Sequence, residues 1–387
     1  MNELRIGVIG AGGRGSLAMH AHLPEKGSAV VACCDVNPLA LHNCRERYGN
    51  NVFLTNDYHE LLARGLDAVF VCTPDFMHEE HAVAVARARK TLYLEKPLSI
   101  TITGCDHILR EARDAGTKLY LGHNMRHFPV ILKMKELIDE GAIGQVKTVW
   151  CRHFVGHGGD FYFKNWNAER RFSTGMLLQK ATHDIDVIQW LSGGYGKRVN
   201  AFGGLTLYGE VGERRGADED PNRSAESLIW PPSSQKGFSP IIDIEDVSML
   251  NIELDNGVLA TYQQCHFTPD YWRNYTFIGS EGRIENFGDT EAGTVIKLWN
   301  KRVTGYNGDA DHVFPVVTET GGHGGADARI VGEFLEFAKG QKASSTSPVA
   351  ARYSVAVGCA ATESLRNGGR PVQIEELGQE LAVYFDT

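Results

Sequence analysis

In the first third of the chain, short apolar runs alternate with segments that read as helices. The runs at 4–9, 29–34, 67–72, 91–94 and 118–121 are apolar on both faces, and 52–54 is a shorter one. A strand buried on both faces belongs to a parallel sheet covered by helices. Between these runs, residues 38–48, 58–63, 76–89 and 102–115 read as helices, and Gly116 stops the last of them. The alternation predicts an α/β domain over 1–123, a doubly wound parallel sheet of the Rossmann type.

The rest of the chain has a different rhythm. A helix at 129–140 leads to a polar and aromatic stretch at 150–172, and a strong helix is expected over 174–191. Strands are expected at 199–207, 247–254, 258–267, 275–278 and 283–287, with Asp255-Asn256-Gly257 as a hairpin turn. Residues 209–240 are rich in Gly, Pro, Ser and charge and read as a long excursion or lid. Helices at 328–339 and 349–367 are expected to close the domain. The prediction for 124–387 is an α+β domain with an open, mostly antiparallel sheet that binds substrate and supports a homo-oligomer, a dimer or a tetramer.

Composition narrows the function classes. The chain has 387 residues and a net charge of −9. An acidic chain is poorly suited to nucleic acid, which needs a basic surface. No stretch of about 18 apolar residues is present, so no membrane span is expected. The start of the chain lacks a basic, apolar leader pattern. None of the eight cysteines forms a Cys-x-x-Cys pair, and most lie in apolar runs, which predicts reduced buried thiols and a cytoplasmic protein.

The sharpest local signal is Gly10-Ala11-Gly12-Gly13-Arg14-Gly15, between a strand and a helix. Gly10 permits the tight turn, Gly12 the approach of a pyrophosphate, and Gly15 close helix–strand packing. Asp35 ends the second strand. A carboxylate there accepts from ribose hydroxyls and repels a 2′-phosphate, which favours NAD over NADP; a helix N-cap is its alternative role. Thr73-Pro74-Asp75, Glu95-Lys96-Pro97 and Gly122-His123-Asn124-Met125-Arg126 follow three further strands, at the sheet end where ligands bind.

These stretches in order, GVIGAGGRG (7–15), TPDFMH (73–78), EKP (95–97) and GHNMR (122–126), resemble the Gfo/Idh/MocA family of NAD(P)-dependent sugar oxidoreductases. A helix containing His183 and Asp186 is a fifth, partial match. The resemblance implies the two-domain architecture and NAD as cofactor. It places Gly10, Gly12, Gly13, Arg14, Gly15, Asp35, Thr73, Pro74, His78, Glu95, Lys96 and Asn124 around the cofactor. It makes Lys96 and His183 catalytic and implies a cis bond before Pro97. Many members have Asp four residues before the histidine, on the same helix face. This chain has Gln179 there, which cannot act as a base, and Lys180 beside it.

Candidate substrate contacts are Lys96, Arg126, Arg152, His153, Lys164, Trp166, Gln179, Lys180, His183, Trp272 and His323. Aromatic rings suit sugar C–H faces, and the cations suit hydroxyls or an acidic group. Asp327 reads equally as a helix N-cap. His153 and His157 lack a supporting carboxylate or cysteine cluster, so no metal is expected. The expected activity is oxidation of a secondary hydroxyl on a sugar or glycoside, with an anionic sugar as one substrate class. Two alternatives stay open. One is an NAD-dependent glycoside hydrolase working by transient oxidation, elimination, water addition and re-reduction. The other is a non-catalytic NAD-binding regulator.

Overall fold

The computed structural model describes residues 3–216 and 229–385. It divides into two compact units: residues 1–127, 319–355 and 376–387, and residues 128–318 and 356–375.

The first unit holds six parallel strands: β1 (Leu4–Ile9), β2 (Ser28–Cys34), β3 (Phe53–Thr55), β4 (Ala68–Val71), β5 (Thr91–Glu95) and β6 (Leu119–Gly122). Their order is β3-β2-β1-β4-β5-β6, so the order reverses between β1 and β4. The helices have local start and stop signals. Asn37 Oδ1 accepts from the Leu39 amide at the start of Pro38–Tyr48. Thr101 Oγ1 caps Ile102–Ala115, and Gly116 ends it at φ 66°.

One late helix departs from expectation. Ala326–Ala338 belongs to this unit and does not close the second domain. Its Phe334 ring lies 4.9 Å from Phe70, 5.4 Å from Tyr93 and 5.6 Å from Tyr120, rings carried by β4, β5 and β6. The sheet face offers this aromatic cluster, and burying Phe334 against it outweighs sequence proximity.

The second unit is a nine-stranded sheet. Its strands are β7 (Val146–Phe154), β8 (Gly196–Gly204), β9 (Val247–Leu254), β10 (Leu259–Cys265), β11 (Trp272–Gly279), β12 (Arg283–Phe287), β13 (Val295–Trp299), β14 (His312–Pro315) and β15 (Val372–Gln373). The order is β14-β13-β12-β11-β7-β10-β9-β8-β15. Only β7 and β10 pair in parallel; the other neighbours are antiparallel. Gly257, at φ 83°, turns β9 into β10 as the Asp-Asn-Gly signal predicts. β13, β14 and β15 are additions to the sequence reading.

Strict alternation fixes the two faces. On β7, Val149, Cys151 and His153 are buried, while Trp150 and Arg152 are exposed. Exposed Trp150, Phe202, Met249 and Leu259 make the outer face of β7 to β10 partly apolar. The described ends of the 209–240 excursion are packed: Phe163, Tyr208, Phe238 and Ile244 share a small core. Residues 217–228 of that excursion lie outside the described residues. No helix among the described residues is long and apolar enough to cross a membrane.

Candidate active site

The dinucleotide side is built from backbone. Gly10 has φ 80°, and a Cβ there would lie 2.7 Å from the Thr73 amide nitrogen. A Cβ on Gly15 would sit 2.0 Å from the Gly10 carbonyl oxygen. Gly13 also has a left-handed backbone, at φ 36°. A side chain at Gly10 or Gly15 would collide with backbone, and the positive φ of Gly13 disfavours one there, so the cradle keeps its backbone open to a phosphate. Asp35 Oδ2 accepts from the Gly12 amide at 2.9 Å and Oδ1 from the Asn37 amide at 2.8 Å. Asn37, not Asp35, caps the following helix, so the carboxylate is tied to the glycine loop. These residues fit a dinucleotide.

Around that loop the side chains are charged and paired. Arg14 Nε donates to Glu95 Oε1 at 2.6 Å and Nη1 to Asp327 Oδ1 at 2.9 Å. Asp327 Oδ2 lies 3.0 Å from His323 Nδ1. Despite burial, His323 and Arg14 hold Asp327 down at about 2. Asp327 is therefore an ion-pair centre; Gly325 occupies the N-cap. Lys96 follows β5, its amide donating to Glu95 Oε2 at 3.0 Å, and the Lys96–Pro97 bond is cis.

His78 is wholly buried, with Nδ1 2.6 Å from the Pro97 carbonyl oxygen and Nε2 2.9 Å from that of Thr73. Its ring bridges the ends of β4 and β5, and burial pushes its pKa down. Thr73 Oγ1 meets His81 Nδ1 at 3.0 Å, beside Pro74. Asn124 and Arg126 are buried in the turn after β6, and Arg126 donates to the Ser345 carbonyl at 2.8 Å.

The second unit carries a buried polar hub centred on Asp184. Its Oδ2 accepts from His153 Nδ1 at 2.9 Å and from the Tyr262 hydroxyl at 2.9 Å. Its Oδ1 takes the Tyr275 hydroxyl and lies 3.1 Å from Arg273 Nε. Burial disfavours the charge, but Arg273 and His153 hold Asp184 well below the usual carboxylate range. Burial first, then Arg273, pushes His153 down to about 4, so its ring is neutral near pH 7. With Asp184 taking the Nδ1 proton, Nε2 is the lone-pair end.

Lys180 lies near this hub, its Nζ 5.7 Å from the centre of the Tyr162 ring. Burial and Arg273 lower its pKa to about 8. His266 is fully buried, its ring 5.4 Å from Tyr162, and burial pushes its pKa well down.

The helix expected over 174–191 is broken. Thr174 has a left-handed backbone at φ 63°, so helix begins only after Gly175. It forms Met176–Gln179 and resumes as Thr182–Ser192. The Ala181 amide reaches five residues back to the Met176 carbonyl, a wide turn that shifts the register between Gln179 and His183. Residues four apart therefore do not stack here as they do in a regular helix.

The structure gathers His153 and Lys180 around Asp184, and Gln179 and Lys164 are buried in the same unit. Trp166 opens a short turn, Trp166–Ala168. Arg152 is not gathered with His153: strand alternation turns it to the opposite face, where Nη2 donates to Asn274 at 2.7 Å. Trp272 lies within β11, edge-on to Phe287, and its neighbour Arg273 is the residue that reaches Asp184. Asp184, Tyr262, Tyr275 and His266 were not singled out from the sequence, and Arg273 entered only within the run 271–274, read there as a further substrate wall. The alternation of β11 and β7, which pairs Arg273 with His153, is the signal that brings Arg273 to the hub. Among the described residues, no group of three or more His, Cys, Asp or Glu is placed to hold a metal ion.

A glycine cradle at the switch point of a parallel sheet, joined in one chain to a mixed sheet with a buried charged hub, defines an NAD(P)-dependent oxidoreductase of two domains. Residues 4–123 match the family model "Oxidoreductase family, NAD-binding Rossmann fold", and residues 135–374 match "Oxidoreductase family, C-terminal alpha/beta domain". The chain belongs to the Gfo/Idh/MocA oxidoreductase family.

YteT of Bacillus subtilis (strain 168) is 26% identical over 345 residues, 78% of this chain and 81% of its own. Myo-inositol 2-dehydrogenase of Thermotoga maritima is 29% identical over 218 residues, 56% of this chain and 63% of its own. A 2,7-anhydro-N-acetylneuraminate hydratase of Mediterraneibacter gnavus is 27% identical over 223 residues, 57% of each chain. Among solved structures, a levoglucosan dehydrogenase in complex with NADH and levoglucosan has a TM-score of 0.77 at 18% identity, covering 97% of this chain and all of the other. That likeness is one of fold.

Proposed function

We propose that this protein oxidises a secondary hydroxyl of a sugar, glycoside or cyclic polyol with NAD. The observation that carries the reading is the glycine cradle after β1 and Asp35 after β2, in the same parallel sheet as β5, which Lys96 directly follows. Asp35 favours NAD, because a carboxylate tied to the Gly12 amide would repel a 2′-phosphate. When bound, the nicotinamide supplies the hydride acceptor. Lys96 steadies the developing alkoxide, and His183 takes the hydroxyl proton, a role typically contributing about 10²–10⁴-fold.

Arg126, Arg152, His153, Lys164, Trp166, Gln179, Lys180, Trp272 and His323 are the substrate contacts anticipated from the sequence. The geometry favours His153 and Lys180 among them, because both stand at the Asp184 hub. The inventory of inward cations supports an acidic sugar as one substrate class. The dehydrogenases among the relatives and structural neighbours act, by name, on inositol and levoglucosan, which supports a polyhydroxylated ring.

A second reading keeps a specific observation. Gln179 stands where a base is usual, and a relative is named a hydratase, so elimination and water addition without net oxidation is the alternative. We propose a cytoplasmic homo-oligomer that buries the apolar outer face of β7 to β10. The catalytic roles are tested with Lys96→Ala and His183→Ala. Turnover should be abolished with NADH affinity within about threefold of wild type, and unaltered rates would remove both residues from the mechanism.

A further inference from the structure

His323 is held in a backbone conformation that its side chain disfavours. It has φ 53° and ψ 43°, within Gly321-Gly322-His323-Gly324-Gly325. Gly321, Gly324 and Gly325 also have positive φ, so the turn is left-handed nearly throughout. Glycine adopts this conformation without steric cost and histidine does not. Four glycines surround the one position that keeps a side chain. A strained residue retained in such a turn points to work done by that side chain.

The ring does not stand alone. Its Nδ1 is 3.0 Å from Asp327 Oδ2, Asp327 Oδ1 is 2.9 Å from Arg14 Nη1, and Arg14 Nε is 2.6 Å from Glu95 Oε1. Arg14 lies inside the Gly10–Gly15 cradle. Asp327 thus fastens the strained turn to the dinucleotide loop within the same compact unit. The third guanidinium nitrogen, Arg14 Nη2, is buried and makes no hydrogen bond among the described residues. Half of the His323 side chain remains exposed beyond its Asp327 contact.

We infer that His323 is a ligand of the dinucleotide pyrophosphate, held beside the glycine cradle by Asp327, with Arg14 Nη2 as the second donor. This assigns His323 to the cofactor, where the sequence pointed to substrate. It rests on dinucleotide binding alone and not on the reaction. A ring that gives Nδ1–H to Asp327 and Nε2–H to a phosphate carries both protons. The charged groups acting on this position are Asp327, Arg14 and Glu95, with Glu319 and its partner Arg329 beside Gly325.

The test compares wild-type protein with His323→Gly and Asp327→Asn by fluorescence titration with NADH, by competition with ADP-ribose and adenosine, and by thermal unfolding without ligand. His323→Gly should weaken NADH and ADP-ribose about tenfold and leave adenosine unchanged. Its melting temperature should equal or exceed that of wild type, because glycine relieves the turn. Asp327→Asn should weaken the same two ligands by a smaller factor. Unchanged NADH affinity in His323→Gly overturns the inference. So does equal weakening of adenosine, an ADP-ribose affinity that stays at the wild-type value, or a loss of affinity that merely follows a lowered melting temperature.

Discussion

The dinucleotide cradle and the Asp184 hub solve the same problem, placing charge where it is needed, with opposite materials. The cradle is backbone: Gly10 and Gly15 leave no room for side chains, and one carboxylate, Asp35, ties two strands' ends together. Its residues fall close in sequence, so it is written as a motif. The hub is side chains, with His153 from β7, Tyr262 from β10, and Arg273 and Tyr275 from β11 meeting Asp184 on a helix. Those residues span more than 120 positions of sequence and meet only through strand pairing. Backbone sites announce themselves, whereas sites of converging side chains depend on register.

The most severe way to break the comparison is Asp184→Asn. It leaves buried Arg273 with only Asp289, 3.6 Å away, as counter-charge and the His153 Nδ1–H without its charged acceptor, and removing one member of a buried ion pair costs roughly 3–5 kcal/mol. Urea unfolding should show this loss, and a loss below about 1 kcal/mol would mean the hub is not a stability centre.

A second effect comes from pH. His153 takes a proton near 4 when folded and near its ordinary 6.5 when unfolded. Between those values the unfolded chain binds more protons, so stability falls as pH drops. Asp184, depressed in the fold, contributes stability above its unfolded range and loses it on further acidification, in the same direction. Stability should drop by about 2–3 kcal/mol between pH 7 and pH 4.5 from His153 alone. His266 and His78 push the same way, so the quantity to read is the difference in slope between wild type and His153→Asn. Equal slopes would contradict the assignment.

On the cradle side, Asp35→Ala should weaken NADH about tenfold, as loss of a hydrogen bond to a charged group typically does, and narrow the preference over NADPH. Isothermal titration with both cofactors measures it. The smallest effect is expected at Arg152, an exposed cation on the sheet's outer face. Arg152→Ala should change stability by no more than about 0.5 kcal/mol and leave the Michaelis constant alone. A raised Michaelis constant would return Arg152 to the substrate contacts.

Much of the fold was legible because its periods are clean. The parallel strands are apolar on both faces, and Pro38–Tyr48 and Ile102–Ala115 carry their own caps. The Asp-Asn-Gly turn fixed one hairpin. What escaped was non-local. Ala326–Ala338 packs by its aromatic fit to Phe70, Tyr93 and Tyr120, which no local pattern encodes. The break before His183 depends on a left-handed Thr174 and a wide turn, neither of which changes the apolar spacing. Asp184 was hidden beside His183, the more conspicuous residue. In the run at 271–274, Trp272 drew attention while its neighbour Arg273 reached the buried carboxylate.

The proposed activity is net oxidation of a polyhydroxylated substrate. The direct measurement mixes the protein with NAD and a panel of chromogenic glycosides, neutral and anionic, together with myo-inositol and levoglucosan, and records NADH absorbance and aglycone release in one cuvette. The account predicts NADH accumulating in proportion to substrate consumed. Aglycone release that requires NAD, with no net NADH, would contradict it and establish the redox-cycling hydrolase instead.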